Sequence, residues 1–186
     1  MELIPALKIG WLNGWLLLGL LGLTEGIFFL LSPKQVVARL FDRSGWSRKQ
    51  AVFTLIGKLF ALGCIVLIIL TPLKPGSPVF TVSTCLVVLG LAGLVKALFD
   101  FKNTPFDLPV TQGFYKVSRH PQVFMSSIVL LGICLAIGSW LALFAFLGAR
   151  LFGHYGILAE EDVCLKQYGE AYRAYTEQVP RYFLIF

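Results

Sequence analysis

Residues 123–158 read VFMSSIVLLGICLAIGSWLALFAFLGARLFGHYGIL, an apolar run broken near its centre by Gly138-Ser139. As one helix this run would extend about 54 Å, well beyond the roughly 30 Å of a bilayer's hydrocarbon core. The Gly-Ser pair therefore reads as the tight turn of a helical hairpin. Working outward from it, four further features fix the fold class.

Three more apolar runs precede the hairpin, giving five expected spans at 11–31, 52–71, 79–99, 123–138 and 140–158. Each lies close to the length a membrane-crossing helix needs, the fourth being slightly short. Helices are required because an open strand would leave backbone groups unpaired in lipid. Pro33 closes the first run, and Pro72, Pro75 and Pro78 make a short, stiff connection before the third. The expectation is an all-α integral membrane bundle of five helices followed by a C-terminal cytosolic helix.

Composition agrees. Of 186 residues, 57% are hydrophobic and 14% charged, with mean hydropathy +0.79. Soluble domains are nearer half apolar and a quarter charged. One domain covering 1–186 is expected, with three helices in 1–99 and the hairpin, its preceding loop and the last helix in 100–186. The net charge of +6 is spread between apolar runs and forms no dense basic patch, which argues against nucleic acid. Cys64, Cys85, Cys134 and Cys164 are scattered mostly within apolar runs, with neither a disulfide nor a metal-ligand spacing, so no metal is expected. The first run has neither a basic leader nor a small-residue cleavage site, so a removable signal peptide is not expected.

Loop charges set an expected orientation. Residues 32–50 carry Lys34, Arg39, Arg43, Arg48 and Lys49 against Asp42, whereas 71–78 carries only Lys74 and the 138–140 turn none. Lys102, Lys116 and Arg119 precede the hairpin, and Lys166, Arg173 and Arg181 follow it. The positive-inside rule places the N-terminus outside and the C-terminus in the cytosol. Segment 35–48 reads as interfacial, with Val36, Val37, Leu40, Phe41 and Trp46 toward lipid. Glu25 and Lys58, both inside apolar runs, are expected to form a structural ion pair.

Two polar clusters then fall on the same side of the membrane. One is Gly113-Phe114-Tyr115-Lys116-Val117-Ser118-Arg119-His120-Pro121; the other is Glu160-Glu161 with the tyrosines at 168, 172 and 175. Ionisable groups near lipid are costly, so clusters at two distant helix ends are expected to meet around something polar. The helical spacing of the tyrosines suits packing of the last helix beneath the site.

The ordered set Thr104-Pro105, Leu108-Pro109-Val110, Gly113-Phe114-Tyr115, Arg119-His120-Pro121, Glu160-Glu161, Tyr168-Gly169, Tyr172, Tyr175 and Val179-Pro180-Arg181 resembles the isoprenylcysteine carboxyl methyltransferase and phospholipid methyltransferase family. The resemblance covers about 104–181. It implies S-adenosylmethionine at the cytosolic face and methyl transfer to a lipophilic acceptor arriving from the membrane, such as a lipid amine or a hydrophobic thiol or carboxylate. By position it implies cofactor contacts from Leu108, Pro109, Val110, Tyr115, Arg119, His120, Pro121, Gln122, Val123 and Glu160. No covalent nucleophile is required and none is evident, so no catalytic residue is assigned.

The chain departs from the family pattern at Phe114 (for proline), Val123 (for tyrosine) and Gly156 (for an arginine that would face a substrate carboxylate). Arg150, His154 and Glu161 share one helical face and form a different candidate substrate set, although Arg150 and His154 also fit snorkelling side chains and Glu161 a solvated helix end. A membrane reductase using NADPH, of the sterol-reductase kind, and a non-catalytic lipid-binding or partner-binding protein are the alternative readings.

Overall fold

A computed structural model describes residues 1–3, 5–43 and 45–183. Among the described residues it contains seven α-helices, one 3-10 turn and no named strand. The helices are α1 (Trp15–Leu31), α2 (Lys34–Leu40), α3 (Arg48–Leu70), α4 (Pro78–Lys102), α5 (Pro121–Ala136), α6 (Trp140–Tyr168) and α7 (Glu170–Gln178); the 3-10 turn is Gly113–Lys116. Helices α3, α4 and α6 are long and apolar enough to cross a membrane, whereas α1 and α5 are shorter apolar helices. Large apolar side chains such as Leu23, Leu59, Leu89 and Leu151 project outward from four of them. That surface suits lipid and not water.

The boundaries follow local chemistry. Ser47 caps α3 in a capping box with Gln50. Ser77 accepts from the Phe80 N–H at the start of α4, with Pro78 in the first helical position, where its missing N–H costs nothing. Helix α1 begins at Trp15, later than the expected 11, because Asn13 is buried and donates to the carbonyls of Lys8 and Ile69 at 2.6 and 2.9 Å.

The hairpin turns where expected: α5 ends at Ala136, and Gly138 takes φ +64°, a conformation that favours glycine. Ser139 then caps α6 by accepting from the Ala142 N–H. Its two arms, however, pack mainly on other helices. Helix α6 lies along α3, and α5 lies along α4. Small residues allow both approaches. A Cβ on Gly57 would stand 2.8 Å from the Gly153 nitrogen, and one on Gly90 would stand 3.0 Å from the Met125 carbonyl oxygen. Close backbone approach at small residues is a usual basis of helix association in lipid. Ile68, Leu94, Val129, Ile133 and Ile137 fill the space where the pairs meet.

Two expectations fail here. Glu25 and Lys58 form no ion pair among the described residues: each lines a different cavity. Segment 35–48 does not present its apolar side chains uniformly to lipid either. Val36 is buried, and Leu40, Phe41 and Trp46 wall a cavity within the protein.

Gly57→Val is expected to prise α3 from α6 and cost about 1–3 kcal/mol, as overpacked sites do. Gly63→Ala, with nothing within 4 Å of the added atom, should stay within about 1 kcal/mol of the parent. Thermal unfolding of the two variants in detergent checks the contrast.

Candidate active site

Asp100, near the end of α4, begins the site. Its carboxylate accepts from the Phe114 N–H at 2.9 Å and draws the 113–116 turn onto the helix. Gly113 has φ +58°, and a Cβ there would run into that carboxylate, so no other residue fits as well. The turn buries Tyr115, whose carbonyl accepts from the Tyr175 hydroxyl of α7 at 2.6 Å. Burial pushes the phenols of Tyr115, Tyr172 and Tyr175 upward, so they stay neutral and act as packing and hydrogen-bonding groups.

Residues 118–120 then meet the C-terminal segment. The Arg119 N–H donates to the Pro180 carbonyl at 2.9 Å, and the Ser118 hydroxyl donates to the Arg181 carbonyl at 2.9 Å. This pairing fixes the approach to α5, whose first residue is Pro121.

The centre of the assembly is Glu161 on α6. Arg181 donates to it from Nε at 3.0 Å to each oxygen and from Nη2 at 2.7 Å. Arg119 Nη1 lies 3.2 Å from Oε1, as does His120 Nε2. The Arg119 and Glu161 side chains are only 7% and 10% exposed, so the carboxylate is almost fully enclosed by cations. The hydrogen bond to Glu161 raises the Arg181 pKa further, keeping the guanidinium charged. The other nitrogen of the His120 ring, Nδ1, lies 3.8 Å from Glu160 Oε2. One imidazole thus stands between adjacent glutamates, one enclosed and one half-exposed.

Two cavities adjoin this assembly. The narrower, about 140 Å³, is lined by Pro109, Val110, Tyr115, Arg119, His120, Gln122, Val123 and Glu160, together with Arg39, Phe101 and the three tyrosines 168, 172 and 175. Arg119 Nε and Gln122 Nε2 are buried there with no hydrogen-bond partner among the described residues. The wider, about 530 Å³, lies between α2, α3, α5 and α6. Trp46, Thr54, Lys58, Phe124, Arg150, His154, Gly156 and Tyr182 contribute to its wall. Leu40, Asp42, Val123 and Glu160 line both.

Eight of the ten residues expected around a cofactor therefore border the narrow cavity. Leu108 and Pro121 do not. Leu108 is exposed and offers its carbonyl to Arg39 Nη2 at 2.7 Å, while Pro121 is buried in the first turn of α5. Of the expected substrate set, Arg150 and His154 line the wider cavity; His154 Nδ1 lies 2.9 Å from the Tyr182 hydroxyl. Burial pushes that hydroxyl up to about 12. Glu161 lines neither cavity, and the enclosure just described corrects its reading as a substrate-facing or solvated group.

Arg39 is the residue that charge counting passed over. It reaches from α2 to the carbonyls of Pro105 and Leu108 and the Tyr168 hydroxyl, and its guanidinium lies over the Phe101 ring at 5.4 Å. It thereby holds the 105–108 loop against α6. Its sequence signal was indistinguishable from that of any topology-setting cation.

With this geometry in hand, comparison with known families gives one result: the phospholipid methyltransferase family matches residues 77–171. The chain belongs to that family, and its members are membrane methyltransferases. The matched stretch runs from the cap of α4 to the start of α7 and contains both glutamates and the 113–121 segment. No curated protein and no solved structure gave a significant match.

Glu161→Gln should leave Arg119 buried without its counter-charge and cost about 3–5 kcal/mol, the range for breaking one side of a buried pair. Tyr175→Phe, which removes a single neutral hydrogen bond, should cost about 1 kcal/mol. Chemical denaturation in mixed micelles measures both.

Proposed function

We propose that this protein transfers a methyl group from S-adenosylmethionine to a lipophilic acceptor, with the cofactor held in the narrow cavity and the acceptor in the wider one. The observation that carries the reading is the shared wall: Val123 and Glu160 border both spaces, so a donor in one and an acceptor in the other meet there. Family membership supports methyl transfer over the reductase reading.

The residues fit the cofactor's chemistry. Its carboxylate and adenine need donors, and Arg119 Nε and Gln122 Nε2 are buried without partners. Its ammonium and sulfonium need negative charge and aromatic faces, and Glu160, Phe101, Tyr115 and Tyr172 border the same space. The narrow cavity alone is below the roughly 300–1,000 Å³ of usual small-molecule sites, and the two together fall within it. A cofactor of that size would fill the narrow cavity and reach past the shared wall at Val123 and Glu160, leaving the remainder of the wider chamber to the acceptor. When bound, S-adenosylmethionine supplies an electrophilic methyl group on sulfur.

The chain's own part is placement and exclusion of water. The Glu161 cluster fixes Arg119 and His120 rigidly, and His120 in turn stands beside Glu160. In-line displacement gains most from alignment of this kind. The acceptor chamber is mainly apolar, but Trp46 Nε1, Thr54 Oγ1 and Arg150 Nε are buried on its wall without hydrogen-bond partners among the described residues. They suit an acceptor with oxygen atoms beside its apolar body. Gly156 is part of what keeps the chamber open: a Cβ there would stand 3.2 Å from the Thr54 hydroxyl.

We assign five membrane crossings, with the shorter α1 and α5 included, the N-terminus outside and both cavities toward the cytosol. The basic loops and the apolar outer surface support that arrangement.

Calorimetric titration of the detergent-purified protein with S-adenosylmethionine should show saturable binding. His120→Ala and Glu160→Gln should each weaken it by about tenfold or more, the equivalent of one charge-assisted interaction. Gly156→Leu should leave cofactor affinity within about twofold while lowering turnover of lipophilic acceptors, because Gly156 lines the wider chamber and not the narrow one. Absence of binding by the parent protein would remove the proposal.

A further inference from the structure

A third cavity, of about 330 Å³, lies between α1, α3, α5 and α6, away from the Glu161 cluster. Leu18, Leu21, Ile65, Leu130 and Phe146 give it an apolar lining, and one acidic and one basic side chain border it, Glu25 and Arg150. Its size is within the range of small-molecule sites. Gly22, an exposed residue of α1, borders it too, and nothing lies within 4 Å of where a Cβ there would be, so the space is open on the α1 side.

Glu25 is the anomaly. It stands six residues before the end of α1 (Trp15–Leu31), about 9 Å along an otherwise apolar helix. It has neither a hydrogen bond nor an ion pair among the described residues. The guanidinium across the cavity does not serve it: Arg150 Nη1 donates to the Ser127 hydroxyl at 3.2 Å, and no ion pair joins Arg150 to Glu25. A carboxylate at such a place is expensive and normally has a partner. The described residues supply none, whereas the cavity leaves room for one.

We propose that this cavity binds an amphiphile with an alkyl chain and a cationic amine head, the head pairing with Glu25 and the chain lying along the leucine-lined wall. An amine meets the charge that the helices leave unmatched, and the apolar lining takes the chain. A purely apolar or hydroxylated ligand would fill the space and leave the carboxylate's charge uncompensated. Entry would be lateral, past Gly22, from the bilayer. The site shares only Arg150 with the acceptor chamber and does not depend on the proposed reaction.

Photolabelling tests it. The protein in nanodiscs of a synthetic zwitterionic lipid is irradiated with a diazirine-bearing hexadecylamine or with the matching hexadecanol, and the labelled peptides are mapped by mass spectrometry. The expected result is saturable amine labelling of the α1 segment containing Leu18 to Glu25, displaced by unlabelled hexadecylamine. Glu25→Gln should weaken amine binding by about tenfold or more, one charge-assisted interaction, without changing labelling by the alcohol. Gly22→Leu, which fills the opening without touching the charge, should weaken both probes. Equal labelling by amine and alcohol, or full amine labelling in Glu25→Gln, would overturn the proposal. Because labelling is read without turnover, failure here leaves the cofactor titration untouched, and the reverse.

Discussion

One enclosed carboxylate governs the functional end of this molecule. Glu161 gathers Arg119 and His120 from one part of the chain and Arg181 from another. Each of the two guanidiniums would be costly to bury alone, and so would the glutamate. Their mutual satisfaction locks the start of α5, the middle of α6 and the segment after α7 into one geometry. Hydrogen bonds from Ser118 and Arg119 to the Arg181 and Pro180 carbonyls reinforce the same junction. The neighbouring cavities take their shape from it.

That junction turns two adjacent residues in different directions. Successive residues on a helix point about 100° apart, so Glu161 faces inward and Glu160 faces the cavities. His120 lies between them and couples the rigid side to the open side. The tyrosines of α6 and α7, neutral through burial where their titration is perturbed outside α6, form the floor beneath. Glu161 and Arg181 hold the junction without lining the narrow cavity, whereas Arg119 and His120 belong to both.

Much of this was legible in the sequence because its signals were local. Apolar length, prolines and Gly138-Ser139 marked the helices and the hairpin turn, and the ordered motifs from Leu108 to Tyr175 marked which ends would meet. What could not be read was helix phase. Whether Glu160 or Glu161 faces the cavity depends on which side of α6 packs against α3, and that is decided by Gly57 meeting the backbone near Gly153. The Glu25–Lys58 expectation failed for the same reason: proximity along two helices says little about the direction each side chain takes. Arg39 escaped notice because its partners are mainly carbonyl oxygens and aromatic rings spread over more than sixty residues of chain.

The splayed hairpin has an evolutionary consequence. Because α6 pairs with α3 and α5 with α4, the wider chamber occupies the seam where α5 meets the α3–α6 pair. Side chains along a seam can change size without disturbing the contacts that keep either pair together. Changes in the size of the chamber are therefore least constrained on its α5 side, at positions such as Phe124, whereas Thr54 and Gly156 meet within the α3–α6 pair and are held by it.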